Sequence, residues 1–282
     1  MNVSQPEIVQ WYTPLPAPFD YADLLPALRR AVQQHLIADV PIGVALSGGI
    51  DSSLLMWLLR DQGQADIHTF TFYTQEVDER PYAEKIAGPN WHPVELRCED
   101  VPRLAEEMQY HQEEPYGGLP TLGMGLIYKA ASDMGIKVVL DGQGLDEAFC
   151  GYDWHLEAEN LYETQLADIQ WKKLPRSLQY NDRAAMMHGV ESREPFCDHR
   201  LMEMGLGAPT EMKVQKGYGK VCIRLLCEEL GIPGAWIAKR SEQAPQLAWL
   251  KGPLADWSGV SPTETSGASA WQTVSAKLLL QG

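Results

Sequence analysis

The chain has 282 residues, 45% of them hydrophobic and 22% charged, with a formal net charge of −15. That is enough apolar material for one large domain or two smaller ones, and the acidity argues against nucleic-acid and anionic-membrane partners. No apolar run approaches the ~20 residues that span a bilayer, no charged-then-apolar leader opens the chain, and the five cysteines lack C-x-x-C spacing, so reduced thiols in a cytoplasmic protein are expected, without zinc or a disulfide framework.

Residues 1–20 are proline-rich and without period, an extended lead-in. Tyr21 to Ala38 reads as an amphipathic helix, with Leu24, Leu25, Leu28, Val32 and Leu36 near one face. Val40 to Leu46 reads as a strand, followed by a Ser-Gly-Gly turn and a helix to about Leu59. Ile67 to Tyr73 alternates in the β manner. A helix around Pro81 to Ala87, a strand from His92 to Leu96, and helices over Val101–Gln112 and Thr121–Met134 follow. Lys137 to Asp141 is a compact buried-strand signal. Strands alternating with helices predict an α/β fold with a doubly wound parallel sheet over 38–152, whose ligands sit beyond the carboxyl ends of the strands. Ser47 and Asp141 both fall at such ends. Beyond Tyr152 the strand signals stop, and 153–257 reads as helices broken by Pro175, Pro195, Pro209 and Pro233, with Trp154, Trp171, Trp236 and Trp249 expected in the core. Residues 258–282 read as a Ser/Thr/Gly/Pro linker and a tail with a short helix over 270–280.

The chemistry concentrates in Leu46-Ser47-Gly48-Gly49-Ile50-Asp51-Ser52-Ser53. Glycines let backbone N–H groups approach a phosphate, and the helix start adds unsatisfied N–H groups and the positive end of a dipole. Asp51, a carboxylate beside a phosphate cradle, makes sense with Mg²⁺ between them. A second motif, Asp141-Gly142-Gln143-Gly144-Leu145-Asp146-Glu147, follows the last sheet strand and offers Asp146 as a second metal carboxylate. A third, from Asp182-Arg183 to Gly189-Val190-Glu191 and Arg193-Glu194-Pro195-Phe196-Cys197-Asp198, reads mostly as structural ion pairs. The seven histidines show no ligand spacing.

The three motifs together, in this order, resemble the synthetase domain of the asparagine synthetase family: S-G-G-L-D-S-S, then S-G-E-G-S-D-E-x-F-G-G-Y, then G-x-E-x-R-x-P-F-L-D. The likeness runs over 21–257. It implies an ATP pyrophosphatase domain of the adenine nucleotide alpha hydrolase (HUP) type. It also implies ATP and Mg²⁺ as cofactors, and amide formation through an acyl-adenylate with release of pyrophosphate. On that resemblance Ser47, Gly48, Gly49, Asp51 and Ser52 hold pyrophosphate and metal, and Asp146 completes the metal site. Leu46, Phe72 and Gly142 flank the adenosine, and Lys220, in a K-x-x-x-R step ending at Arg224, reaches phosphate. The turn Pro115 to Pro120 would face the acceptor.

Three departures qualify it. Too few residues precede the loop for the family's glutaminase domain, so ammonia or another amine would come from solution, from a separate glutaminase or amidotransferase subunit, or from the substrate itself. The family's G-E-G glutamate is Gln143, which cannot act as a base but can orient a substrate. The late R-x-K step aligns with Arg240-Ser241-Glu242, so that Lys239 would replace the missing lysine. The expected partners are a small carboxylate and an amine. Competing readings are a catalytically reduced nucleotide-binding subunit and a lactam- or lasso-type cyclase.

Overall fold

The computed structural model describes residues 10–64, 66–236 and 245–280. Five strands form one parallel sheet: β1 (Ile42–Ala45), β2 (His68–Tyr73), β3 (Trp91–Glu95), β4 (Val138–Leu140) and β5 (Glu191–Arg193), in the order β3-β2-β1-β4-β5. The register sets Ala45 opposite Phe70 and Val44 opposite Leu140. The strand order reverses at β1: the chain first winds outward through β2 and β3, then returns to place β4 on the other side. Such a reversal opens a crevice at the carboxyl ends of β1 and β4.

Side chains of the central strands divide between two cores, as the two-residue period of a strand requires. Val44, Val138 and Leu140 join Leu24, Leu28, Leu54, Leu55, Phe149 and Phe196 on one face. Ala45, Phe70 and Val139 join Leu122, Tyr128, Trp249 and Trp271 on the other. The first face is covered by the helices Tyr21–His35 and Ile50–Asp61, the second by Leu119–Asp133 and its neighbours. The first helix starts where Asp20 accepts a hydrogen bond from the Ala22 N–H at 2.9 Å.

Strand β5 departs from the sequence reading, which has no strand after Tyr152. Glu191-Ser192-Arg193 has neither an apolar run nor clean alternation, because it is a charged edge, the kind that resists further pairing. Arg193 Nη1 donates to the carbonyls of His35 and Ile37 at 2.8 and 2.9 Å, tying that edge to the end of the first helix. Most charges of the third motif serve architecture in this way, including the Arg200–Asp198 pair. A second departure is a small antiparallel hairpin, β6 (Val214–Gln215) and β7 (Tyr218–Gly219), turning through Lys216 and Gly217, both at positive φ.

The stretch read as a linker is not one over its described part. Val260 is buried, and the helix Gly267–Leu279 buries Ala270, Trp271, Val274 and Leu278. Trp271 stands edge-to-face with Tyr116 at 5.6 Å. Tyr116 belongs to the Pro115–Pro120 turn, and the Leu119 N–H in that turn donates to Gln246 Oε1 at 2.7 Å. The turn expected to face an acceptor is therefore bound up in packing. Of the tryptophans expected inside, Trp249 is buried, but Trp154 and Trp171 are exposed.

Candidate active site

The turn after β1 is wired before any ligand arrives. The Leu46 N–H donates to the Phe70 carbonyl at 2.8 Å, and the Leu46 carbonyl accepts from Thr71 Oγ1 at 2.6 Å, so Leu46 is fixed to β2. Gly48 takes a left-handed φ of 70°, and a Cβ there would lie 2.5 Å from the Ala83 nitrogen and the Tyr82 carbonyl carbon. Only glycine fits. Gly49 is the N-cap of the helix Ile50–Asp61. Its N–H donates to Ser47 Oγ at 3.2 Å, its carbonyl accepts from Ser53 Oγ at 2.6 Å, and the Ser47 and Ser52 hydroxyls lie 3.2 Å apart. Ser52 and Ser53 are buried and shape the turn. What the turn offers outward is the helix N-terminus, a ready anion site.

Asp51, in the first turn of that helix, and Asp146, in the first turn of the helix Leu145–Phe149, converge on one point, which the ammonium of Lys220 fills. Lys220 Nζ lies 2.9 and 2.7 Å from the two Asp51 carboxylate oxygens and 2.6 Å from Asp146 Oδ1. The β6–β7 hairpin delivers Lys220, which sits at a φ of 56° at the N-cap of the helix Val221–Glu229. Two glycines permit the approach: a Cβ on Gly151 would overlap the Asp146 carboxylate, and one on Gly219 would overlap the Cys150 carbonyl. Lys220 is buried, with 5% of its surface exposed. Flanked by Asp146 and Asp51, its ammonium is held charged well above the usual lysine range against the opposing effect of burial. Burial pushes Asp51 up to about 6, with Lys220 opposing and Asp146 adding to the rise.

The donor set suits a magnesium ion, since two carboxylates reach a common cation-sized point. Among the described residues no three His, Cys, Asp or Glu side chains are grouped to hold a metal. An ion there would take its remaining ligands from phosphate and water.

At the β1 and β4 ends lies a narrow cleft of about 80 Å³, lined by Leu46, Ser47, Ser52 and Asp141 together with Phe72, Glu79, Met124 and Ile127. Phe72 lies flat enough on the helix Leu119–Asp133 that a Cβ on Gly123 would stand 2.6 Å from its ring. Gly142 does not line the cleft. It lets the β4 loop close on the loop helix, where its Cβ would sit 3.0 Å from the Ser52 nitrogen. Gln143 Nε2 donates to Asp141 Oδ2 at 3.3 Å, and Asn181 Nδ2 donates to the same oxygen at 3.1 Å. A larger cavity, about 640 Å³, lies beyond β5, against Ser192, Glu194, Cys197 and His35.

The structure thus brings together Ser47, Gly48, Gly49, Asp51, Ser52, Asp146 and Lys220 around the helix start, with Leu46, Phe72, Gly142 and Gln143 beside it. Lys239 and Glu242 lie outside the described residues. Sequence reasoning missed Asn181, Glu79 and Met124. Asn181 lies within a helix dominated by its charged neighbours, and nothing in that pattern marks an amide aimed at Asp141. It also missed Glu147, buried against Tyr152, whose hydroxyl donates to Glu147 Oε1 at 2.6 Å while burial raises the carboxyl to about 7.

The family model of asparagine synthase matches residues 23–179 and 159–262. Asparagine synthetase [glutamine-hydrolyzing] 2 of Lotus japonicus is 29% identical over 238 residues, 74% of this chain and 40% of that protein. Asparagine synthetase B [glutamine-hydrolyzing] of Escherichia coli (strain K12) is 28% identical over 248 residues, 79% of this chain and 44% of that protein. The chain thus spans less than half the length of these relatives. An NH3-dependent NAD synthetase from Campylobacter jejuni superposes loosely, with a TM-score of 0.39 at 13% identity over 94% of this chain and 97% of that one.

Proposed function

Because the chain belongs to the asparagine synthase family, we propose that it activates a small carboxylate with ATP and transfers the acyl group to ammonia or another amine, releasing AMP and pyrophosphate. The observation that carries this reading is the convergence of Asp51 and Asp146 on one buried cation position beside a glycine-built helix start. The synthetase unit is taken as 21–257, its sheet drawing four strands from 38–152 and the edge strand β5 from Glu191–Arg193, with residues 258–280 packed onto it.

In this reading the N–H groups at the start of the loop helix, with Gly48, Gly49 and the Ser47 hydroxyl, hold the β- and γ-phosphates. Asp51 and Asp146 would hold Mg²⁺ that enters with the nucleotide and neutralises charge on the phosphates. Lys220 gives up its two carboxylates at that point and turns to the leaving pyrophosphate, where a cation is worth several kcal/mol in the transition state. Leu46 and Phe72 pack the adenosine, and Gly142 keeps the β4 loop close enough for them to do so. The substrate carboxylate attacks the α-phosphorus, and pyrophosphate departs. Gln143, incapable of taking a proton, orients the acyl group. Lys239 supplies the second cation in place of the lysine that Glu242 displaces. A separate glutaminase or amidotransferase subunit is one source of the amine.

Acid-dependent exchange of pyrophosphate into ATP tests this. Exchange is expected with Mg²⁺ and not with excess chelator, and Asp51→Ala or Asp146→Ala should lower it at least ~100-fold with the circular dichroism spectrum retained. Unchanged exchange in either variant would contradict the metal assignment.

A further inference from the structure

We propose that Asp141 receives the proton that the acceptor amine sheds as the amide forms, making it a catalytic residue of the second half-reaction. This assignment deepens the adenylating reading and rests on it.

Asp141 leaves β4 at the reversal point of the sheet and lines the same cleft as Leu46 and Ser47. An acyl group activated beside Ser47 would share that cleft with the Asp141 carboxylate. Glu79 is the other charged residue along the lining, and it stands on the β2 side, where its backbone carbonyl starts the helix Arg80–Ala83.

In the family pattern S-G-E-G the loop carboxylate is the third residue; here the order is Asp141-Gly142-Gln143-Gly144. The acid stands two residues earlier, and the amide that replaces it is hydrogen-bonded to it: Gln143 Nε2 and Asn181 Nδ2 both donate to Asp141 Oδ2. Two neutral amides fix the carboxylate without neutralising it, whereas an arginine or lysine would have quenched its basicity. Burial raises the Asp141 carboxyl above the usual aspartate range against those donors, which makes it the stronger base. Glu194, at the end of the neighbouring strand, adds a second carboxylate on the same side, and Ser192 Oγ donates to it at 2.5 Å.

The nitrogen lone pair of the neutral amine attacks the acyl carbon and the C–N bond forms. The acyl carbon–oxygen bond to AMP breaks, its electron pair leaving on the AMP phosphate. The proton lost by nitrogen passes to an Asp141 carboxylate oxygen and then to water.

The test separates the two half-reactions in Asp141→Asn. It uses the acid that supports the fastest ATP–pyrophosphate exchange among a panel of amino acids and dicarboxylic acids, with ammonium and then hydroxylamine as nucleophile. Ammonium-dependent amide formation is expected to fall about 10²- to 10⁴-fold further than exchange does. Hydroxylamine, whose attacking nitrogen sheds its proton more readily to water, should recover most of that loss as hydroxamate. A purely positioning role would depress both nucleophiles alike, and that result overturns the proposal, as does an ammonium-dependent rate that falls no further than exchange. If Asp141→Asn loses exchange altogether, Asp141→Ser, which restores the family residue, is measured in its place. Loss of exchange in both assigns Asp141 to nucleotide binding and overturns the proposal. A parent protein without acid-dependent exchange overturns the adenylating reading and this assignment with it.

Discussion

Glu194 shows how far burial can move a single side chain in this fold. Desolvation, with Asp141 and Asp182 nearby, lifts its carboxyl from 4.5 to about 7, while the Ser192 hydrogen bond pulls the other way. Between those values the folded protein keeps a proton that the unfolded chain has given up, so stability contributed by Glu194 falls as pH rises from about 4.5 to about 7. Glu194→Gln should remove that slope. The parent is expected to lose about 2 kcal/mol more than the variant between the two ends of the window, less than the full conversion of the shift because the side chain is not wholly buried. Urea unfolding at pH 4.5 and 7.5 measures it, and equal losses in the two proteins would refute it. His92, His155 and His188, all lowered chiefly by burial, push the opposite way below 6.5, and the difference between variant and parent cancels them.

At the scale of elements, the site is a set of close approaches. The β1 turn leans on the helix Arg80–Ala83 through Gly48, the β4 loop leans on the loop helix through Gly142, and the β6–β7 hairpin reaches Asp146 through Gly151 and Gly219. Gly48→Ala should therefore cost at least ~2 kcal/mol, from a left-handed φ and a backbone overlap together, and should weaken ATP binding. Gly63→Ala is the control: its φ of 86° is also left-handed, but a Cβ there meets nothing within 4 Å, so only about 1 kcal/mol of strain is expected. Thermal melts with and without Mg²⁺–ATP compare the two, and equal melting temperatures would contradict the account of the turn.

At the scale of the whole molecule, the sheet is held between two cores, and the second is closed by the last described helix. Trp271 is 1% exposed. Trp271→Ala should cost about 3–5 kcal/mol, and a chain ending at residue 257 should fail to fold cooperatively. A truncated chain with a sharp, parent-like unfolding transition would show that the closing helix is dispensable. Among the described residues no helix is long and apolar enough to cross a membrane.

The sequence by itself determined the motifs and their order along the chain. It also determined the alternation that makes the sheet parallel, and with it the carboxyl ends of β1 and β4 as the face on which ligands are expected. These are local signals: a glycine pair before a helix, or an apolar run five residues long, carries its meaning within a single turn or strand. Only the tertiary structure decided that Lys220 stands between Asp51 and Asp146, that Asn181 and Gln143 share one oxygen of Asp141, that a polar triplet at Glu191 forms the sheet edge, and that a Ser/Gly-rich stretch leads into core. Each of those depends on which surfaces meet across long sequence separations, and the free energy that selects them comes from burial and pairing between distant side chains, which leave no period in the chain to read.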